Sequence, residues 1–344
     1  DLGSFLKWTV EWPSNQEFVG SEVQILSDTE LQGYTRIRKG WGYGEAYTVY
    51  FYAEFDTPAE SVGTWKSKEV HPGSYLEPDT SEPVGGYFTF NTINGQEIKL
   101  KVGISFVSTG KAKLNIKNEI NHWDFEEIRE QAKEEWNKKL SSVIIETDSR
   151  DKMVMFYTAL YHAMLMPVDR TGENPLWISN APYYEDFFCI WDTFRATHPL
   201  ITLLDEKRQI AMVNALLDIY AHEGYMPDAR VGNETGIPQG GSNADVIISD
   251  AFVKGLEGID YQKGLEAMIK NAEVPPGGDQ QKWGRGGLSD YKSLGYISTD
   301  FVRAGSRTVE YAFNDFCIAL VAQGLGKNEL VKKYSGRANN WQNL

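Results

Sequence analysis

Residues 98–106, IKLKVGISF, and residues 124–140, DFEEIREQAKEEWNKKL, decide how this chain divides. In the first, Ile98, Leu100, Val102, Ile104 and Phe106 alternate with Lys99, Lys101, Gly103 and Ser105, the period of two of a half-buried strand. In the second, Phe125, Ile128, Ala132, Trp136 and Leu140 recur at three- and four-residue steps among charges, which predicts an amphipathic helix. Between the two stretches the chain passes from β to α. Upstream, Tyr47–Phe55 (YTVYFYAEF) is rich in aromatic and β-branched residues. Turn punctuation falls at Gly40, Gly42 and Gly44, at Pro72-Gly73 and at Gly85-Gly86. Residues 1–121 therefore read as a β-sandwich domain, 122–150 as a linker helix and 151–344 as a helical domain.

Helices are expected over 152–166, 187–203, 206–223, 243–257, 261–273 and 306–323, with another starting near Asn328. Gly224 stands at a C-cap position, and Pro275-Pro276-Gly277-Gly278 stops the fifth helix. Val309, Phe313, Phe316 and Leu320 form the expected buried stripe of the sixth. Sequential pairs joined by alternating short and long loops suggest an α/α toroid, and no repeat of fixed period supports a solenoid. The long loops 167–186, 225–242 and 275–305 carry too many aromatic residues for disorder, so function is expected on them.

Composition narrows the partners. A net charge of −14 argues against a nucleic-acid backbone. No run approaches the ~18 apolar residues of a membrane span. Cys189 and Cys317, the two cysteines, make neither a disulfide framework nor a zinc site and are expected as buried thiols. None of the five histidines has metal-ligand spacing. Neither a dinucleotide glycine motif nor a serine nucleophile elbow is present.

Three clusters could carry chemistry. In residues 188–195, FCIWDTFR, Trp191 offers a flat face to a sugar ring, Asp192 can accept from vicinal hydroxyls, and Arg195 offers a planar fork. The competing reading is a structural Asp192–Arg195 pair beside a core tryptophan. Residues 224–245 hold Asp228, Arg230, Gln239, Ser242 and Asn243, with glycines that permit close approach; helix capping by Ser242 or Asn243 is the bland alternative. The third stretch runs from Trp283 to Tyr296. Glycosidic cleavage needs two carboxylates across the bond. The loops supply Glu173, Glu185, Asp186, Asp192, Asp228, Glu234 and Asp245, and their spacing selects no pair.

Several of these segments resemble glycoside hydrolase family 92: FYTALYH at 156–162, IWDTFRATHPL at 190–200, GYMPDAR at 224–230, QGGSNAD at 239–245, SDAFVKG at 249–255 and VEYAFNDF at 309–316. The resemblance implies a multi-domain α and β protein, an N-terminal β-sandwich followed by an (α/α)6 toroid, each present in part. It also implies hydrolysis of α-mannosidic linkages, α-1,2 first, by inversion with calcium assistance. Carried over, Trp191, Asp192 and Arg195 match sugar-pocket positions, and the Gln239–Asn243 loop matches a substrate-side loop. The commoner family pattern has Met and His at positions 239 and 243, so linkage preference is open. The family's acid, base and calcium-ligand segments are not found, and are expected beyond Leu344. The chain opens at Asp1 without a methionine and closes without a Gly or Pro stop, which reads as an interrupted polypeptide, inactive alone. About seven helices stand where a closed toroid needs twelve, so apolar helix faces should stay uncovered. An α-mannose-containing glycan is the implied partner, and a secreted or periplasmic location follows from it. The alternatives are another inverting (α/α)6 hydrolase or phosphorylase acting on glucans, or a non-catalytic carbohydrate-binding protein.

Overall fold

A computed structural model describes residues 16–39, 45–236, 239–276 and 283–344. The turns expected at Gly40, Gly42, Gly44, Gly277 and Gly278 lie outside them. The chain forms two compact units, Asp1–Lys139 with Glu173–Pro175, and Leu140–Gly172 with Leu176–Leu344.

The first unit contains β1 (Glu17–Ile25), β2 (Glu30–Arg38), β3 (Tyr47–Phe55), β4 (Ser61–Lys66), β5 (Glu69–Pro72), β6 (Leu76–Thr80), β7 (Val84–Thr89) and β8 (Leu100–Ser105). They make a five-stranded sheet ordered β6-β1-β2-β3-β8 and a three-stranded sheet ordered β5-β4-β7, with antiparallel pairing throughout. The sheets stack as a sandwich. Phe55 of one meets Phe88 of the other at 4.9 Å between ring centroids. Glu77 of β6 accepts from Thr64 Oγ1 at 2.6 Å and lies 2.5 Å from His71 Nδ1, so one buried carboxylate ties both sheets together. Burial pushes that carboxyl up, and the two hydrogen bonds more than offset it.

The alternation in β8 is as expected, but its burial is reversed. Directly opposed residues in a ladder share a face, and the register sets Leu100 against Phe55 and Val102 against Ala53. The apolar set thus points to the sandwich side. Even so, Leu100, Val102 and Ile104 are about half exposed, because the described strands of the smaller sheet do not cover this edge. Lys101, Gly103 and Ser105 are the buried residues. Their cover is α1 (Thr109–Glu119), in a region expected to be β. Ser108 caps α1 by accepting the Lys111 N–H at 3.1 Å. Gly103 admits the helix: a Cβ there would lie 2.3 Å from the Ala112 carbonyl. Glu173 closes this corner, accepting from Ser105 Oγ, the Phe106 N–H and Asn115 Nδ2 at 2.5, 2.9 and 2.8 Å. The helix expected over 124–140 is present as α2 (Phe125–Leu140), but none of its residues is buried.

The second unit is helical: α3 (Arg150–Ala163), α4 (Ile190–Thr193), α5 (Thr197–Leu204), α6 (Glu206–Glu223), α7 (Ala244–Val253), α8 (Tyr261–Glu273), α9 (Leu288–Leu294), α10 (Ala304–Gly324) and α11 (Asn328–Arg337). Its core joins Met212 and Leu216 of α6, Ile247 of α7, Met268 of α8 and Ile318 of α10. Asp205 caps α6 by accepting the Arg208 N–H at 3.3 Å, and Gly224 ends it at φ +82°, where a side chain is strained.

Three expectations change here. The helix expected over 187–203 is two, because Cys189 takes φ +57° and the chain breaks at Ala196. The stripe Val309, Phe313 and Phe316 is exposed, not buried. The buried face of α10 instead carries Arg307, Tyr311, Asn314, Asp315 and Ile318, made tolerable by charge pairing described below. Cys317 is buried as expected, whereas Cys189 is only partly so.

Candidate functional site

Four segments remote in sequence meet at the start of α7 and along one side of α10. The turn α4 is tied down by the Ile190 N–H, which donates to the Asp228 carbonyl at 3.0 Å. The Asp228 carboxylate reaches the other way, where its Oδ1 accepts the Asn243 N–H at 2.8 Å. Asp228 therefore serves the N-terminus of α7, and the Asn243 side chain makes no cap of its own. The Ser242 N–H donates to Asn314 Oδ1 of α10 at 2.8 Å. Gly241 lies so close to α10 that a Cβ would sit 2.5 Å from Asn314 Oδ1 and 3.1 Å from Glu310 Cβ. That glycine is required by helix packing. Arg195 crosses to α10 as well, donating from Nη2 to Glu310 Oε1 at 2.9 Å.

The expected residues separate by what surrounds them. Trp191 is 9% exposed, so little of its ring is open to a sugar. Asp192 is exposed and is not ion-paired with Arg195, whose partner is Glu310. Gln239 is exposed, and Ser242 and Asn243 are buried. Arg230, expected at the ligand, is fully buried and committed: Nε donates to Glu185 at 2.6 Å, Nη1 to Glu223 at 2.7 Å and Nη2 to the Asn233 carbonyl at 3.1 Å. It is a frame residue.

Other loop carboxylates are also spoken for. Glu173 is held as above, Glu185 by Arg230, and Asp186 by Arg170 at 3.0 Å. Asp245 accepts from Ser242 Oγ at 2.6 Å and from Arg285 Nη2 at 3.2 Å. Arg285 in turn donates from Nη1 to Asp315 at 2.7 Å and from Nε to Ser242 Oγ at 3.1 Å. Asp315 also takes Arg337 Nε at 2.8 Å and the Tyr291 hydroxyl at 3.0 Å. This web backs the site. At this place Asp192 is exposed, and Asp228, Asp245 and Glu310 each keep one carboxylate oxygen without a hydrogen-bond partner among the described residues.

Burial pushes the Asp228 carboxyl up to about 8, against the pull of the Asn243 N–H and of the Asn243 side-chain amide; the charges of Glu310 and Asp245 add to the rise. Burial likewise pushes Asp245 up to about 7, despite Arg285 and Ser242. Asp228 Oδ2, Asp245 Oδ1 and Glu310 Oε2 are buried atoms with no hydrogen-bond partner among the described residues, while the Asn243 amide acts on the Asp228 carboxyl. Such atoms are uncommon in a folded interior and mark places where a ligand or water completes the set.

Glu310, Asn314, Arg285 and Asp315 were not singled out in the sequence. Glu310, Asn314 and Asp315 do lie in the family-like segment VEYAFNDF and Arg285 in the Trp283–Tyr296 stretch, and each is charged or amide-bearing inside an otherwise apolar or glycine-rich run. Among the described residues no group of three or more His, Cys, Asp or Glu is placed to hold a metal ion. No helix among the described residues is long and apolar enough to cross a membrane.

A β-sheet unit followed by helices that gather a buried, carboxylate-lined polar site is the architecture of a class of glycoside hydrolases. Residues 1–105 match the glycosyl hydrolase family 92 N-terminal domain and residues 111–344 its catalytic domain, and the chain belongs to that family. It is 38% identical over 276 residues to an uncharacterized secreted glycosidase of Arthroderma benhamiae, covering 76% of this chain and 32% of that protein. It is similar to two solved enzymes of Bacteroides thetaiotaomicron. One is a family 92 inverting mannosidase, with TM-score 0.86, 28% identity, and 95% of this chain against 45% of that one. The other is a family 92 α-mannosidase whose complex with mannoimidazole superposes with TM-score 0.84 and 27% identity, over 95% of this chain and 43% of that one. The chain thus spans less than half the length of each of these relatives.

Proposed function

We propose that the gene product carrying this chain hydrolyses α-mannosidic bonds in glycans, α-1,2 bonds first, with inversion, and that this chain supplies one side of the sugar pocket. The observation that carries the reading is the run of contacts joining Asp192's turn, Asp228, the 239–243 loop and Glu310. It leaves the Asp192 carboxylate and one oxygen each of Asp228 and Glu310 for hydroxyls, with Gln239 and Arg195 at the exposed margin. Trp191 lies in the same turn as Asp192, and Ser242 ties the 239–243 loop to Asp245 and Arg285. Kinship with an enzyme described as an inverting mannosidase supports the substrate class. Kinship with a protein described as secreted supports an extracellular or periplasmic location.

Inversion needs an acid that protonates the leaving oxygen and a base that activates water from the opposite face. No such pair is assigned to residues of this chain. Calcium assistance belongs to the proposal through the family alone, and no step is routed through the ion.

The test is a substrate panel followed by proton NMR. The gene product is expected to release mannose from α-1,2-mannobiose as the β-anomer first, to leave α-glucobioses intact, and to lose activity in a calcium chelator. Cleavage of α-glucobioses without α-mannobioses would transfer the protein to the glucan-acting alternative, and turnover of neither would leave a binding protein.

A further inference from the structure

Glu310 belongs to none of the expected site residues, yet it touches three of the segments that hold them. Its Oε1 accepts from Arg195 at 2.9 Å. Its Cβ lies against Gly241, where any side chain would collide with it. Its charge bears on Asp228, raising that carboxyl further. Most of the Glu310 side chain is covered, whereas Arg195 is largely open to solvent. A surface ion pair of this kind contributes little to stability by itself. A partly buried carboxylate with one oxygen on an exposed arginine and the other, Oε2, on no partner among the described residues is an arrangement that stability does not explain.

We infer that the two oxygens of Glu310 are divided: Oε1 positions the Arg195 fork, and Oε2 accepts from a hydroxyl of the bound sugar, which makes Glu310 a specificity-determining residue of the proposed site. This rests on the functional reading above. An acceptor beside a planar five-donor cation suits two hydroxyls on neighbouring ring carbons, one donating its proton to Oε2 and the other accepting from Arg195. The Asn243 amide, buried beside the Asp228 carboxyl, offers a further donor.

The test is a double-mutant cycle of Glu310→Gln and Arg195→Met in the complete gene product, read as KM and kcat on the α-mannoside it cleaves. A charge-assisted hydrogen bond to substrate predicts that Glu310→Gln raises KM about 10- to 100-fold, with a much smaller fall in kcat. In the Arg195→Met background the same change should still raise KM by about tenfold, because Oε2 acts without the arginine. A deoxymannoside lacking the bonded hydroxyl should bind both proteins equally. A KM penalty that disappears in the Arg195→Met background would reduce Glu310 to positioning alone. An unchanged KM with a lowered melting temperature would make it structural, and either result overturns the inference. Arg195 is exposed enough for its variant to fold. If the wild type cleaves no α-mannoside, the functional reading fails separately. Saturation-transfer NMR with free monosaccharides then decides on Glu310: loss of signal in Glu310→Gln supports it and retention overturns it.

Discussion

Replacing Arg285 by methionine is expected to lower the stability of the helical unit by about 3–5 kcal/mol at neutral pH, the cost of removing one partner of a buried ion pair. The side chain is completely buried and carries Asp245, Asp315 and Ser242 on its three donor nitrogens. Asp315 keeps Arg337 and Tyr291, but the Asp245 carboxylate is left with the Ser242 hydroxyl among the described residues. Domains are stable by about 5–15 kcal/mol in all, so this one change takes a large part of the total. The effect has a pH signature. Burial already raises Asp245 to about 7 with Arg285 in place, so the folded state prefers its neutral form. A carboxyl whose folded pKa is raised loses stability as pH climbs through that value. Without the guanidinium the rise goes further, so the deficit of the variant should be smaller at pH 5 than at pH 8. Urea denaturation at both values checks this. A loss below about 1 kcal/mol at pH 8 would show that the web is not holding the unit together.

Asp228→Asn should act in the opposite direction on stability and damage ligand binding. Asparagine keeps an Oδ1 acceptor for the Asn243 N–H and removes the charge. In the wild type the folded carboxyl sits at about 8, well above its ordinary value near 3.8. The stability this group contributes is therefore whole below pH about 4 and is lost as pH rises toward 8. At about 1.4 kcal/mol per pKa unit the loss amounts to several kcal/mol. The variant escapes it, so it should match the wild type at pH 4 and be clearly more stable at pH 8. Retaining a destabilising acid in such a place is what a binding site demands of its scaffold. Denaturation curves from pH 4 to 8 test this, and a pH-independent difference between the two proteins would refute the assignment.

Local rules reached much of the fold. Helix α6 runs from Glu206 to Glu223 as its periodicity predicts, because Asp205 and Gly224 cap it from within the sequence. Helix α8 likewise runs over Tyr261–Glu273, with Asp260 accepting the Lys263 N–H at 3.0 Å. Where a partner far along the chain decides, local pattern misleads. Helix α1 buries only Ala112 and Ile116, too thin a stripe to stand out, and it exists because Gly103 of β8 leaves room for it. On α10 the apolar set Val309, Phe313 and Phe316 looks like a core face, yet the opposite face is buried, since Asp315 finds Arg285 thirty residues away. The site divides in the same manner. Asp192, Asp228, Ser242 and Asn243 stand out in the sequence because several polar residues crowd a short motif. Arg230 was misread because its partners Glu185 and Glu223 lie in other elements. Glu310 stayed hidden because a single glutamate on an apolar helix carries no local sign of its partner Arg195.

The most direct measurement is a crystal structure of the complete gene product with mannoimidazole, the ligand seen in a relative. The account predicts the sugar ring at the start of α7, with hydroxyl oxygens at hydrogen-bond distance, about 3 Å, from Asp192, Glu310 Oε2 and the Asn243 amide. A ligand bound elsewhere, with these three groups turned away from it, would contradict the account.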